Sequence, residues 1–184
     1  ALSSAASDVY KRQRLKDCGA HAFDELSYPG DSIKQEYKED ILVGYRWHDT
    51  KKIPALFPFG HGLSYTTFTY GKPVASAKVM AADGTLTLTV AVKNTGSVAG
   101  KEIVQLYVGD DKCSVLRPVK ELKHFAKVAL APGEEKNVTF TLTPDDLKFY
   151  DEASAAWKYE PGKFKAYVCA SSADVRGVVP FEIQ

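Results

Sequence analysis

The stretch "TLTLTVAVKNTG", Thr85 to Gly96, decides the fold. Leu86, Leu88, Val90 and Val92 alternate with Thr, Ala and Lys, the period-2 pattern of a strand with one face buried, and Asn94-Thr95-Gly96 supplies turn residues to end it. The same grammar repeats downstream. "KEIVQLYVGD" (101–110) is a strand, "VKELKHFAKVAL" (119–130) gives one or two more, and "APGEE" (131–135) is a turn. "KNVTFTLT" (136–143) puts Val138, Phe140 and Leu142 on one face, "GKFKAYVCASS" (162–172) does so with Phe164, Ala166, Val168 and Ala170, and "GVVPFEIQ" (177–184) closes the set. Roughly seven short strands in about 115 residues, with a turn about every ten, predict an immunoglobulin-like β-sandwich.

Upstream the pattern changes. "LFPFGHGLSYTTF" (56–68) packs four aromatic rings, a proline and two glycines around one histidine. Pro58 forces Phe57 into an extended conformation. Gly60 and Gly62 can take positive φ and reverse the chain on either side of His61. Phe57, Phe59, Leu63 and Tyr65 can then bury apolar area where the reversal meets another surface. The stretch reads as a structural junction built on Phe57, Phe59, Gly60, His61, Gly62 and Tyr65, with His61 bonded to backbone in that corner and not engaged in acid–base work. Before it, "DILVGYRWHD" (40–49) reads as a strand, its continuous apolar start suiting one covered on both faces. From Arg14 to Lys38 the text is irregular, with a turn signal at Pro29 to Asp31. Residues 1–13 are small, polar and then basic. They are expected to be a disordered leader, and "SDVYKRQ" looks like a translated sequencing adapter foreign to the natural protein. The chain opens without methionine and shows no apolar signal-peptide core, so a fragment of a longer protein is expected.

The charges nearly cancel, 24 basic against 23 acidic, so neither nucleic acid nor a membrane is an expected partner. No apolar run approaches the roughly 20 residues of a membrane-spanning helix. Cys18, Cys113 and Cys169 form no C-x-x-C pair and the histidines His21, His48, His61 and His124 have no metal-ligand spacing, so neither metal nor cofactor is expected. The doublets Asp24-Glu25, Glu39-Asp40, Asp145-Asp146 and Asp151-Glu152 cannot face one another across about 5–9.5 Å as a glycosidase pair must, because neighbours on a strand point to opposite faces. His48-Asp49 is the nearest thing to a His–carboxylate dyad but has no nucleophile in a strained elbow beside it. Asn137 opens a formal N-x-T glycosylation acceptor in mid-strand. No catalytic residue is assigned.

"YKEDILVGYRWHDTKKIPALFPFGHGLSYTTF" (37–68) resembles the end of the α/β sandwich domain of glycoside hydrolase family 3, the β-glucosidase family. That family has E-x-I-x-V-G-Y-R, an aromatic-Asp element and F-P-F-G-H/Y-G-L-S-Y-T. The matching positions are Glu39, Ile41, Val43, Gly44, Tyr45 and Arg46, then His48-Asp49, then Phe57 to Thr66. "VKNTGSVAGKEIVQLYV", "RPVKELKHFAKVAL", "LAPGEEKNVTFTL", "DDLKFYD" and "PGKFKAYVCASS" resemble the family's fibronectin type III-like C-terminal domain. The likeness runs from about Arg14 to Gln184. It implies a mainly β chain, with a partial α/β-domain tail over 14–67 followed by a fibronectin III-like sandwich over 68–184. It also implies a retaining, exo-acting β-glucosidase as parent, bacterial, periplasmic or secreted, acting on plant-derived oligosaccharides. The parent's nucleophile belongs to an N-terminal barrel and its acid/base carboxylate to an upstream part of the α/β sandwich. Neither motif occurs here, so those missing domains are the expected partners and the chain alone is expected to be inert. The competing reading is an independent carbohydrate-binding or surface-attachment sandwich, which needs a coplanar row of exposed aromatics drawn from Tyr107, Tyr150, Trp157, Tyr159 and Tyr167.

Overall fold

A computed structural model describes residues 33–184. The leader, residues 14–32, Cys18, His21 and the Asp24-Glu25 doublet lie outside the described residues. Among the described residues one short helix, α1 (Tyr45–Lys51), precedes eleven strands. These are β1 (Phe68–Tyr70), β2 (Val74–Ala75), β3 (Val79–Met80), β4 (Leu86–Asn94), β5 (Gly100–Asp110), β6 (Glu121–Leu130), β7 (Glu135–Leu142), β8 (Phe149–Asp151), β9 (Ala156–Lys158), β10 (Gly162–Cys169) and β11 (Val175–Ile183). A 3₁₀ turn, Pro144–Leu147, follows β7 and is capped reciprocally by Thr143 and Asp146.

Two antiparallel sheets make the sandwich. In the first, β4 pairs with β7 along one edge and with β1 and β2 in succession along the other. The second runs β3-β11-β10-β5-β6, with β3 joining β11 in parallel. β8 and β9 form a separate hairpin. The alternation written in "TLTLTVAV" is realised: Leu86, Leu88, Val90 and Val92 are buried, and face Val138, Phe140 and Leu142 of β7 and Leu106, Val108, Phe164, Ala166 and Val168 of the other sheet in one core. Asn94, where β4 ends, is fully buried but satisfied. Its Oδ1 accepts from Thr66 Oγ1 (2.6 Å) and Gly96 N (3.0 Å), while Nδ2 donates to the carbonyls of Val98 (2.8 Å) and Leu130 (3.1 Å).

β5 breaks the alternation. Val104 to Gly109 are all buried, because both faces of the strand are covered. Val104, Leu106 and Val108 point into the core, while Gln105 and Tyr107 lie under α1 and the loop that follows it. A β-bulge at Lys123 shifts the β5–β6 register, so that Leu106 pairs with His124 and Tyr107 with Leu122.

The strand expected within "DILVGYRWHD" is not formed; its second half is α1. A strand needs a neighbour to take its ladder hydrogen bonds, and among the described residues none lies beside 41–47. A helix satisfies itself, with Trp47 and His48 N–H both donating to the Gly44 carbonyl (3.2 and 3.3 Å). It also brings Tyr45 and Asp49, four residues apart, onto one face against the sandwich.

Candidate functional site

The residues that tie α1 and the 52–60 loop to the outer face of β5 and the start of β6 form the most elaborate side-chain cluster outside the core. Lys120 Nζ lies 2.6 Å from Asp49 Oδ2, and the two side chains are only 9% and 15% exposed. The same ammonium stands over the Tyr107 ring, 5.5 Å from its centroid. One turn of helix earlier, Tyr45 accepts the Leu122 N–H on its hydroxyl (2.9 Å) and meets Tyr107 edge-on at 5.6 Å. Thr50 Oγ1 accepts the Val119 N–H (3.1 Å), and Arg46 reaches towards Glu121 (3.9 Å). Burial pushes the Tyr45 and Tyr107 phenols up and raises the Cys169 thiol beneath them to about 12.

The loop adds a second set of ties. Phe59 meets the Tyr45 ring at a tilt (5.2 Å), and its carbonyl accepts the Ser172 N–H (2.8 Å). Gly60 has φ +79° and rests on the Gln105 side chain, which a Cβ at that position would strike. Gln105 is itself held at both ends of its amide, accepting from the Tyr107 hydroxyl (2.5 Å) and donating to the Ala170 carbonyl (3.1 Å). Glycine is therefore required at 60, by conformation and by space.

The sequence-expected junction residues fall into two groups. Phe59 and Gly60 sit in this cluster, and Phe57 lies at its margin, partly exposed and 6.4 Å from the His61 ring. His61, Gly62 and Tyr65 project away from it. His61 is exposed and its backbone N–H closes a turn onto the Pro58 carbonyl (3.0 Å); Gly62 has no positive φ and open space around it. Tyr65, expected to pack at the boundary, is fully exposed. The reason is its neighbour: Thr66 is drawn inward by Asn94, and consecutive residues of an extended segment point opposite ways. His48 and Asp49 do not form a dyad. His48 Nδ1 bonds to the Ile53 carbonyl (3.1 Å), while Asp49 takes Lys120. Lys120 and Gln105 are not legible as site residues from sequence, although a glutamine inside the apolar run "IVQLYV" is a signal for a covered outer face.

Beside the cluster lies an apolar cavity of about 460 Å³, lined by Tyr45, Ile53, Pro54, Phe57, Pro58 and Phe59. Of the five aromatics that could make a sugar-binding row, Tyr107 is buried under α1, and Tyr159 and Tyr167 are half-buried. Tyr150 and Trp157 alone stay exposed, edge to face at 5.8 Å across the β8–β9 hairpin. Cys113, Asp110 and Glu160 place ligand atoms within 4.8 Å of one another. Asp110 is paired with Arg117 (3.4 Å), and Glu160 accepts the Ser114 N–H (3.0 Å), so both carboxylates are engaged within the protein. Asn137 is exposed on β7.

The fibronectin type III-like domain family matches residues 102–172. The chain is 66% identical over 169 residues to β-glucosidase BoGH3A of Bacteroides ovatus, covering 92% of this chain and 23% of that protein. It is 51% identical over 150 residues to thermostable β-glucosidase B of Acetivibrio thermocellus, covering 82% of this chain and 20% of that one. Among solved structures, DesR, a β-glucosidase from Streptomyces venezuelae in complex with D-glucose, superposes with a TM-score of 0.80 at 42% identity, over 88% of this chain and 20% of DesR. The chain thus spans about a fifth of the length of these relatives.

Proposed function

We propose that this chain, which belongs to glycoside hydrolase family 3 as a C-terminal part of its β-glucosidases, is the accessory end of a β-glucoside hydrolase and holds its catalytic body in place. The fibronectin III-like sandwich is assigned to residues 68–184, and residues 14–67 are the tail of the preceding α/β sandwich domain. The whole protein's activity is retaining hydrolysis of β-glucosides by carboxylates in an upstream barrel and α/β sandwich, and those domains are this chain's partners. Phe57, Phe59, Gly60, His61, Gly62 and Tyr65 form the linking corner, Phe59 and Gly60 against the sandwich, Phe57 at its margin, and the last three facing outward towards the rest of the protein.

The observation that carries this reading is the double tie of α1 and the 52–60 loop to β5 and β6. The Asp49–Lys120 pair, the Tyr45–Leu122 bond and the Phe59–Ser172 bond fix the incoming chain at three separated points. Such a joint restrains the incoming chain against the sandwich and leaves a mainly apolar cavity beside it, suited to a packed neighbour. The purified chain is expected to hydrolyse no aryl β-glucoside above buffer, whereas the full-length protein turns it over. Turnover by the chain alone, abolished by substituting one of its carboxylates, would overturn the proposal.

A further inference from the structure

A cleft of about 630 Å³ opens between residues 40–46, the 115–123 segment and the β8–β9 hairpin, a size within the roughly 300–1,000 Å³ of small-molecule sites. Its rim carries Trp157, 66% exposed, and Tyr150, 51% exposed, with ring planes at 70°. An indole that open is unusual, because Trp is on average highly buried. The floor is rigid. Phe149 is packed under the Arg117 guanidinium (5.7 Å) and the Lys158 ammonium (6.0 Å), and Arg117 is held by Glu121 (2.8 Å) and the Leu147 carbonyl (3.1 Å). The cleft is also lined by the Arg46 guanidinium, partly exposed and reaching towards Glu121 (3.9 Å), and by Lys123, which is displaced by the β6 bulge and pairs with Glu121 (3.5 Å).

We infer that this cleft is a subsite for a β-linked glucan oligosaccharide, with a pyranose ring on the Trp157–Tyr150 corner and its hydroxyls accepting from Arg46 and Lys123. The inference rests on the reading of the parent as a β-glucoside hydrolase, and it adds a second place where that protein meets its substrate class. The chemistry separates this cleft from the cavity beside α1. That cavity is mainly apolar, with His48, Asp49, Lys52 and Ser172 at its wall, and suits a packed protein surface. This one combines two open rings with charged groups of both signs, Arg46 and Lys123 beside Asp40, Glu121 and Glu152, the combination that seats a ring with one apolar face and a polar girdle.

The test is titration of the 184-residue chain with cellohexaose, read by isothermal titration calorimetry in every variant and from the Trp157 indole N–H resonance where that ring is present. Saturable millimolar binding is expected, weakened at least about tenfold by Trp157→Ala and by Tyr150→Ala, a loss of about 1.4 kcal/mol. It should be retained by Trp157→Phe and unchanged by Tyr65→Ala, whose equally exposed ring lies elsewhere. Far-UV circular dichroism checks that each variant folds. Absence of saturable binding, or binding that Trp157→Ala and Tyr150→Ala leave intact, overturns the inference. So does a Trp157 in the full-length protein that no soluble quencher reaches, since the hairpin is then covered by protein. No turnover is measured in this titration. Failure to bind by a chain whose full-length protein hydrolyses β-glucosides removes only the subsite. Binding by a chain whose full-length protein hydrolyses none removes only the functional reading.

Discussion

Replacing Lys120 by methionine keeps the aliphatic stem but removes the charge that answers Asp49. Taking one partner from a well-buried ion pair costs about 3–5 kcal/mol, because the other charge is left unpaired. Asp49 is 15% exposed, so water can reach part of it, and we place that loss just below this range, at about 2–3 kcal/mol. The cation over Tyr107, at 5.5 Å, adds about 0.5–1 kcal/mol. The expected total is about 3 kcal/mol, which at a urea m-value of roughly 2 kcal/mol/M lowers the midpoint by about 1.5 M. In a Trp157→Phe background, Trp47 on α1 is the sole tryptophan and reports the joint, while far-UV circular dichroism reports the sheets. The Asp49→Ala, Lys120→Met double variant should cost less than the sum of the single changes, by about 1–2 kcal/mol, because neither charge is then stranded. A Lys120→Met chain within about 0.5 kcal/mol of the parent sequence, or strictly additive single variants, would refute the reasoning.

Gly60→Ala places a Cβ at positive φ and against the Gln105 amide, and should cost about 2–4 kcal/mol in urea unfolding, whereas Gly62→Ala should stay within about 0.5 kcal/mol. Asn94→Leu strands the Thr66 hydroxyl and the Val98 and Leu130 carbonyls, and should lower stability by about 2–4 kcal/mol in the same assay. The Cys169 thiol, raised to about 12 by burial, binds its proton more tightly folded than unfolded. Its contribution to stability is therefore whole below the ordinary thiol pKa of about 8.5 and is lost as pH rises from there through the folded value, so unfolding free energy should fall with pH in that window. The buried Tyr70 and Tyr107 phenols, also shifted up, act in the same direction from about pH 10. Stability that stays flat above about pH 9 in a urea series would contradict this.

The sandwich is legible in the sequence because its strands obey period 2, and buried Leu86, Leu88, Val90 and Val92 are where the alternation puts them. The joint is only half legible. Phe59 and Gly60 announce themselves by residue type, but their counterparts Gln105, Tyr107 and Lys120 are scattered along other strands, and only three-dimensional pairing collects them. Tyr107 shows the difficulty. As a strand residue opposite the core face it reads as an exposed ring, and it is buried because α1 is laid over it. The β-formers Ile41, Leu42, Val43, Tyr45 and Trp47 predict a strand where the chain instead turns into α1. Propensity of that kind yields to the availability of a ladder partner. Tyr65 escapes its expected place because the inward pull of Asn94 on Thr66 acts over 28 residues of sequence.

The central claim, that this chain supplies a joint and no catalytic group, is tested most directly on His61 in the full-length protein. The account predicts that His61→Ala leaves kcat on an aryl β-glucoside within about twofold, since the ring belongs to the linking corner and is assigned no chemistry. Loss of a general acid–base catalyst costs about 10²–10⁴ in rate. A drop of kcat by about a hundredfold or more with normal melting would mean that this corner reaches the reacting bond, and would contradict the account.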